Sequence, residues 1–449
     1  MTVIRPGRTG FLAGLRPFFD KPVFANFLLG MSSGFPLTLV ISLTGIWLSR
    51  FGVDKTTVGM FALATTPYAW KFLWSPIVDR LGLGRFSHLF GRRRSWLFLI
   101  QVLLVALILV MSQLDPETDV EMIALTVIGI GFLSASQDIV IDAYRIEILQ
   151  TEQLGHGASM IAFGYRASNL IAGYGVLMAA EYIGWSAAIA CLSVLVLPGL
   201  VAALWVGEPS LGDETYIEEE NAHLPSVVRK GAGAWFYDAV VLPFKEFLTR
   251  ENAILILLFV LTMKAGDAVA AIMTGPLIVE LGFTESEMAN ANKLVGTIAL
   301  WVGIAFGSVL YFRAGVYRSL MFTGVLMMVT NLVFAWLSTQ GNDVTALAIT
   351  IGAENFASGL GNTVIIAYLS SLCNLSFTAT QYALLSSLSN QARSILGAFS
   401  GSWAESMGWI DFFIFSTFLA VPGLVILGFL WYRDVGNTAK KATEGHRVP

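Results

Sequence analysis

The chain has 449 residues, of which 55% are hydrophobic and only 13% charged, with 31 Phe and 12 Trp. This usage excludes a water-soluble domain and requires an integral membrane protein. The net charge of -4 points to no particular partner, nucleic acid included, and Cys191 and Cys373 make no zinc or redox spacing.

Apolar windows of about 20 residues, the length that crosses a roughly 30 Å hydrocarbon core, recur from Phe24 almost to the end. Strand-length alternation is absent, which leaves helices as the spanning solution. Six spans are predicted at 22–49, 57–79, 95–113, 121–144, 157–180 and 185–206. Six more follow a hydrophilic stretch, at 252–280, 287–312, 318–338, 344–372, 379–404 and 409–432. The span at 22–49 is too long for a cleavable leader and lacks a cleavage pattern, so none is expected. Arg5, Arg8, Arg80, Arg85, Arg92 to Arg94, Arg229, Lys230, Lys245, Arg250, Arg433, Lys440 and Lys441 fall on one side of this arrangement. The opposite loops hold only Arg50 and Lys55 and carry the acidic "DPETDVE" of 115–121. Positive charge marks the cytoplasmic side, so both termini and the linker are expected there, which requires an even number of spans and supports twelve.

The 207–250 stretch is the one clear shift in composition and separates a 1–206 half from a 251–449 half. Its "YDAVVLPFKEFL" reads either as an amphipathic helix on the cytoplasmic surface or as a solvated tether. Across this linker the chain repeats itself. "FLSASQDIVIDAY" at 132–144 returns as "FASGLGNTVIIAY" at 356–368, an offset of 224 that also carries Gly173 onto Gly397, Glu181 onto Glu405 and "GW" at 184 onto "GW" at 408. Two six-helix halves in one orientation, related by an axis along the membrane normal, describe the major facilitator architecture. The loop after span 2, "DRLGLGRFSHLFGRRRS", resembles the corresponding major facilitator loop. There Asp79 would end span 2, pair with Arg145 or another cation at the foot of span 4, and latch the cytoplasmic side. Arg92 to Arg94 are read either as part of that latch or as a topology anchor.

Ionised side chains at bilayer depth normally face a water-filled cavity or an opposite charge. Lys71, Asp138, Asp142, Arg166, Lys264, Asp267, Lys293, Glu354 and Arg393 are the candidates. Asp138, Asp142 and Arg145 recur at i, i+4 and i+7 and so share one helical face. Two carboxylates one turn apart repel each other when both are ionised, which makes a proton-carrier arrangement; alternatively Arg145 and Asp142 form a static pair. Lys264 and Asp267 can pair on span 7. Glu354 enters the membrane among Gly352, Gly359 and Gly361, whose glycines serve close packing or bending. Lys71 and Arg166 either hold an anionic substrate group or balance Asp138 and Asp142. His88, His156, His223 and His446 all fall outside the predicted spans, so a proton relay within the membrane is expected to use carboxylates.

"KFLWSPIVDR", "GRRRSW", "SASQDIVIDAYR", "GYRASNLIAG", "KAGDAVA", "NKLVG", "ENFASGLGN" and "LCNLSFTATQYALLSSLS" occur in that order between about residues 27 and 432. In these stretches the chain resembles the AmpG-type muropeptide permeases of bacterial inner membranes. The resemblance implies an all-α major facilitator fold of twelve transmembrane helices. It implies a monomeric permease that imports anhydro-muropeptides for cell-wall recycling, driven by the proton motive force, with no cofactor or metal. Carried onto this chain, it implies substrate binding by Lys71, Gln137, Asp138, Arg166, Lys264, Asn292, Lys293 and Asn355. Asp138, Asp142, Asp267 and Glu354 would carry protons, and Asp79 with Arg145 would form the gate. Trp47, Trp70, Trp74, Phe163, Tyr165 and Phe356 would either stack on sugar faces or sit in the lipid belt. The extra pair of helices that some members carry is not expected, because the linker has no long apolar run and little chain follows span 12. HExxH, GxSxG and clustered histidine are missing, which argues against a membrane enzyme. The competing expectation is a major facilitator transporter of another cargo, such as a drug, a siderophore or an acyl-CoA.

Overall fold

The computed structural model describes residues 16–209 and 237–444, so most of the linker lies outside the described residues. The described chain is almost entirely helical. Its long helices are α1 (Lys21–Arg50), a broken α2 (55–80), α3 (Arg92–Met111), α4 (Val120–Ile148), α5 (154–183) and α6 (185–206). They continue as α7 (Ala253–Glu280), α8 (Leu294–Ala314), α9 (Val316–Gln340), α10 (Val344–Ser371), α11 (Leu375–Met407) and α12 (Trp409–Asp434).

By length and apolarity, eight helices among the described residues can cross a membrane, or nine if the bent pair α10 and α11 is counted as one span. The differences from twelve are local. Helix α2 breaks at the 3-10 turns Phe61–Thr65 and Lys71–Leu73, and Pro67 and Pro76 each open a new helical stretch, where a missing N–H is harmless. Residues 151–206 pass as a single helical run, although Gly184, at φ 81° and ψ 162°, separates α5 from α6.

The repeat seen in the sequence is also built in the backbone. Helices α4 and α10 begin 224 residues apart, at Val120 and Val344, and the 3-10 turns that follow them, Thr151–Gln153 and Leu375–Phe377, keep the same offset. Gly408, the repeat mate of Gly184, has φ 76° and separates α11 from α12 just as Gly184 separates α5 from α6. A side chain at either glycine would be strained, which is why the break recurs on "GW".

The described residues form two compact units. One holds 16–246 together with Leu369–Ser387, and the other holds Phe247–Tyr368 with the chain after Leu388. In the first unit α1 lies along α5, and a β-carbon at Gly30 or Gly34 would collide with the Ile161 or Tyr165 backbone, while one at Gly164 would strike the Phe27 carbonyl. The second unit uses the same device, since Gly303 meets the Phe356 carbonyl and Gly359 the Leu300 carbonyl between α8 and α10. Close packing therefore accounts for Gly359, and Gly361 abuts Met327. Val102, Leu103, Leu109 and Val110 of α3 remain exposed, a face that suits lipid.

Candidate functional site

In the first unit two adjacent residues of α1 hold two adjacent residues of α4. Gln137 Nε2 donates to the Ser32 carbonyl at 2.8 Å, and Ser33 Oγ donates to Asp138 Oδ1 at 2.6 Å. The Ser32 hydroxyl accepts from Gln101 of α3 at 2.9 Å and donates to the Val196 carbonyl at 3.3 Å. A pair of serines thus ties four helices together. Gln137, expected as a substrate ligand, is fully buried with its amide nitrogen on the Ser32 carbonyl.

One turn further along α4, Asp142 lies between two cations. Lys71 Nζ is 3.6 Å from its Oδ2 and Arg145 Nη2 is 3.5 Å from its Oδ1. Lys71 and Arg145 are both buried, whereas Asp142 keeps 18% of its side chain exposed. Arg145 continues past Asp142: its Nη1 donates to Ser370 Oγ at 3.0 Å and its guanidinium lies 5.2 Å from the centre of the Tyr382 ring. The shared helical face of Asp138, Asp142 and Arg145 is therefore real, and so is the pairing of Arg145 with Asp142.

The expected Asp79 and Arg145 pair does not form. Asp79 pairs instead with Arg93 at the start of α3, whose Nη2 is 2.8 Å from Oδ1. It also accepts from the backbone N–H of Ala379 at 3.1 Å and of Thr380 at 2.7 Å, and from Thr380 Oγ1 at 2.5 Å. Those N–H groups belong to the first α-helical turn of α11, which begins at Thr378 and leaves its first N–H groups without an intrahelical acceptor. A carboxylate at the unfavourable C-terminal end of α2 is thus neutralised by a cation and by the positive end of another helix. Arg93 also holds Glu147 through Nε at 3.0 Å, and Glu208 accepts from the Arg93 and Arg94 amides at the start of α3. Arg93 is only 1% exposed and is a buried partner of both carboxylates.

In the second unit Lys264, in the turn that interrupts α7, donates to Asn362 of α10, the repeat mate of Asp138. Asn355 donates to the Ile351 carbonyl at 2.9 Å, and the exposed Asn292 donates to Met288 at 3.0 Å, each inside its own helix. Asp267 and Glu354 are half-buried. Arg166 is exposed on α5, while the side chains of Lys293 and Arg393 lie outside the described residues. Of the expected site residues, then, Lys71, Asp142 and Arg145 are joined directly, and Asp138 neighbours them on α4. Trp47 belongs to the buried core. His156, expected outside the spans, sits fully buried in the first turn of α5, with its ring edge-on to Phe18 at 4.9 Å.

Sequence reasoning passed over Ser33, Glu147 and Thr380. "GRRRS" and the glutamate five residues beyond Asp142 offered a signal for the Arg93 and Glu147 pair. Ser33, one serine among many, offered none.

The Major Facilitator Superfamily profile matches residues 22–396. "Putative transporter AmpG 4" of Rickettsia felis is 36% identical over 415 residues, covering 92% of this chain and 97% of that protein. The "Anhydromuropeptide permease" of Escherichia coli K12 is 35% identical over 412 residues, 91% of this chain and 80% of its own length. Among solved structures, the human organic anion transporter MFSD10 is similar at a TM-score of 0.62 and 14% identity, over 90% of this chain and 98% of its own. The proton:xylose symporter XylE is similar at 0.61 and 13%, over 94% and 96%.

Proposed function

Because the chain belongs to the Major Facilitator Superfamily, and within it to the AmpG-type permeases, we propose that it imports anhydro-muropeptides across the bacterial inner membrane in symport with protons. The observation that carries the cargo is the 35% identity with a named anhydromuropeptide permease over 91% of this chain. The cargo suits the polar groups present: a sugar-peptide brings carboxylates, an amine, hydroxyls and amides, and the units offer both charge signs with neighbouring aromatics. Residues 1–206 and 251–449 act as the two moving halves, joined by the 207–250 linker, with both termini in the cytoplasm and the monomer as the working form. Lys71 and Arg166 from one half, and Lys264, Asn292, Lys293 and Asn355 from the other, contact the substrate.

Proton coupling rests on the half-buried carboxylates. Asp138 has a hydroxyl partner and no cation within bonding distance among the described residues, while Asp142 faces Lys71 and Arg145. Asp138 is accordingly the carrier, and Asp142 connects it electrically to the gate. Asp267 and Glu354 are the candidate carriers of the second half. Uptake of radiolabelled anhydro-muropeptide into energised vesicles, set against a drug, a siderophore and an acyl-CoA, tests the whole reading. Accumulation that a protonophore collapses is expected for the muropeptide alone; accumulation of another cargo in its place would refute the assignment.

A further inference from the structure

In each unit the first long helix donates a polar hydrogen to the same position of the fourth. Ser33 of α1 donates to Asp138, and Lys264 of α7 donates to Asn362, 224 residues further on. The two contacts differ in where the charge sits. In the second unit the donor is the cation and the acceptor is an amide that cannot titrate. In the first the donor is a neutral hydroxyl and the acceptor is a carboxyl group that can.

We propose that Ser33 is the positioning residue of the coupling carboxylate, holding Asp138 in its ionised form and orientation until a proton displaces that bond. This rests on the reading of Asp138 as the proton carrier. At 2.6 Å the contact lies in the range of a hydroxyl donating to a charged oxygen. Its geometry is fixed from behind, because Ser32 is bonded to Gln137, Gln101 and the Val196 carbonyl, so α1 cannot turn Ser33 away without breaking a buried network. When Asp138 accepts a proton, the hydroxyl has other roles open to it. It can accept from the new carboxylic acid, or turn its own hydrogen back to the carbonyl four residues earlier in α1, as helical serines do. Protonation therefore changes a contact between α1 and α4 without stranding a polar group. The charged and titratable groups facing Asp138 are Lys71 and Tyr68 of α2, Asp142 of α4, Tyr165 of α5 and Tyr382 of α11. Only Ser33 bonds it directly among the described residues.

The test uses full-length protein in proteoliposomes, with radiolabelled anhydro-muropeptide as the probe and two readouts, proton-driven uptake against pH and energy-independent counterflow. Ser33→Ala is expected to move the alkaline limb of the uptake profile upward by about one pH unit, a tenfold change in proton binding, with counterflow retained. Ser33→Thr, which keeps the hydroxyl, should restore the original limb. An unmoved profile in Ser33→Ala, or a shift that Ser33→Thr fails to reverse, overturns the proposal. Asp138→Asn separates this result from failure of the underlying reading. If that variant still accumulates substrate against a gradient, Asp138 is no carrier and Ser33 loses its role with it. If it loses accumulation while Ser33→Ala behaves as wild type, the positioning role alone is refuted.

Discussion

Asp142 neutralises two buried cations at once, so a substitution there is costly. Replacing it with Asn leaves Lys71 and Arg145 without their shared carboxylate, and removing one member of a buried pair costs about 3 to 5 kcal/mol when the site is dry. Asp142 keeps partial access to water, so about 1 to 3 kcal/mol is expected here, read as a lowered melting temperature in detergent. Lys71→Met in the Asp142→Asn background should recover part of that loss, whereas strictly additive losses would show that the two side chains do not interact. For Asp138 the expected outcome is functional: Asp138→Asn loses accumulation against a gradient yet reaches the membrane at normal levels. The i, i+4, i+7 spacing was enough to place Asp138, Asp142 and Arg145 on one face, because helical periodicity is local. Where Arg145 sends its remaining donors was not legible, since Ser370 lies 225 residues away and tertiary packing selects it.

Helix α2 and the start of α11 meet through the Asp79 carboxylate and through Arg80, which lies over the Phe377 ring. Asp79 satisfies two N–H groups of α11 and the guanidinium of Arg93, so Asp79→Asn removes a helix cap and half of a buried ion pair together. A cysteine placed beside the contact of α2 with α11 should then label faster by roughly 5- to 150-fold, corresponding to about 1 to 3 kcal/mol of lost bias, while uptake slows. Unchanged labelling would reduce Asp79 to a local cap. Arg93→Lys should reproduce much of the effect, because lysine cannot serve Asp79, Glu147 and the Val78 carbonyl from one planar fork. That Asp79 needs a compensating charge follows from its place at a helix end and was readable in advance. The choice of Arg93 over Arg145 was not, because it depends on how the loop through Gly91 folds back. The span count shows the same division: apolar length found the helices, but the turns inside α2 depend on where Pro67 and Pro76 break the hydrogen-bond ladder.

Across the whole chain the repeat keeps backbone features and exchanges chemistry. Gly184 and Gly408 share a left-handed conformation, whereas Asp138 and Asn362 share a position but not a charge. On the proposed reading Lys264 of the second unit holds a substrate carboxylate, so Lys264→Gln should weaken affinity for a charged muropeptide far more than for the peptide-free anhydro-disaccharide; equal losses would assign Lys264 a purely structural role. Fold and family were legible because both the repeat and the motifs are written contiguously, while the site is assembled from residues that meet only after packing. The glycine contacts of α1 and α5 carry one more implication. With Gly30, Gly34 and Gly164 facing backbone, no side-chain ridges separate the two helices, and neither can roll or slide without its carbonyls colliding. Mechanically the pair is a single spar: it can tilt as one piece, but it offers no internal shear plane. Spin labels on the outer faces of α1 and α5 should therefore keep one sharp separation through the whole transport cycle, even while distances elsewhere in the protein broaden.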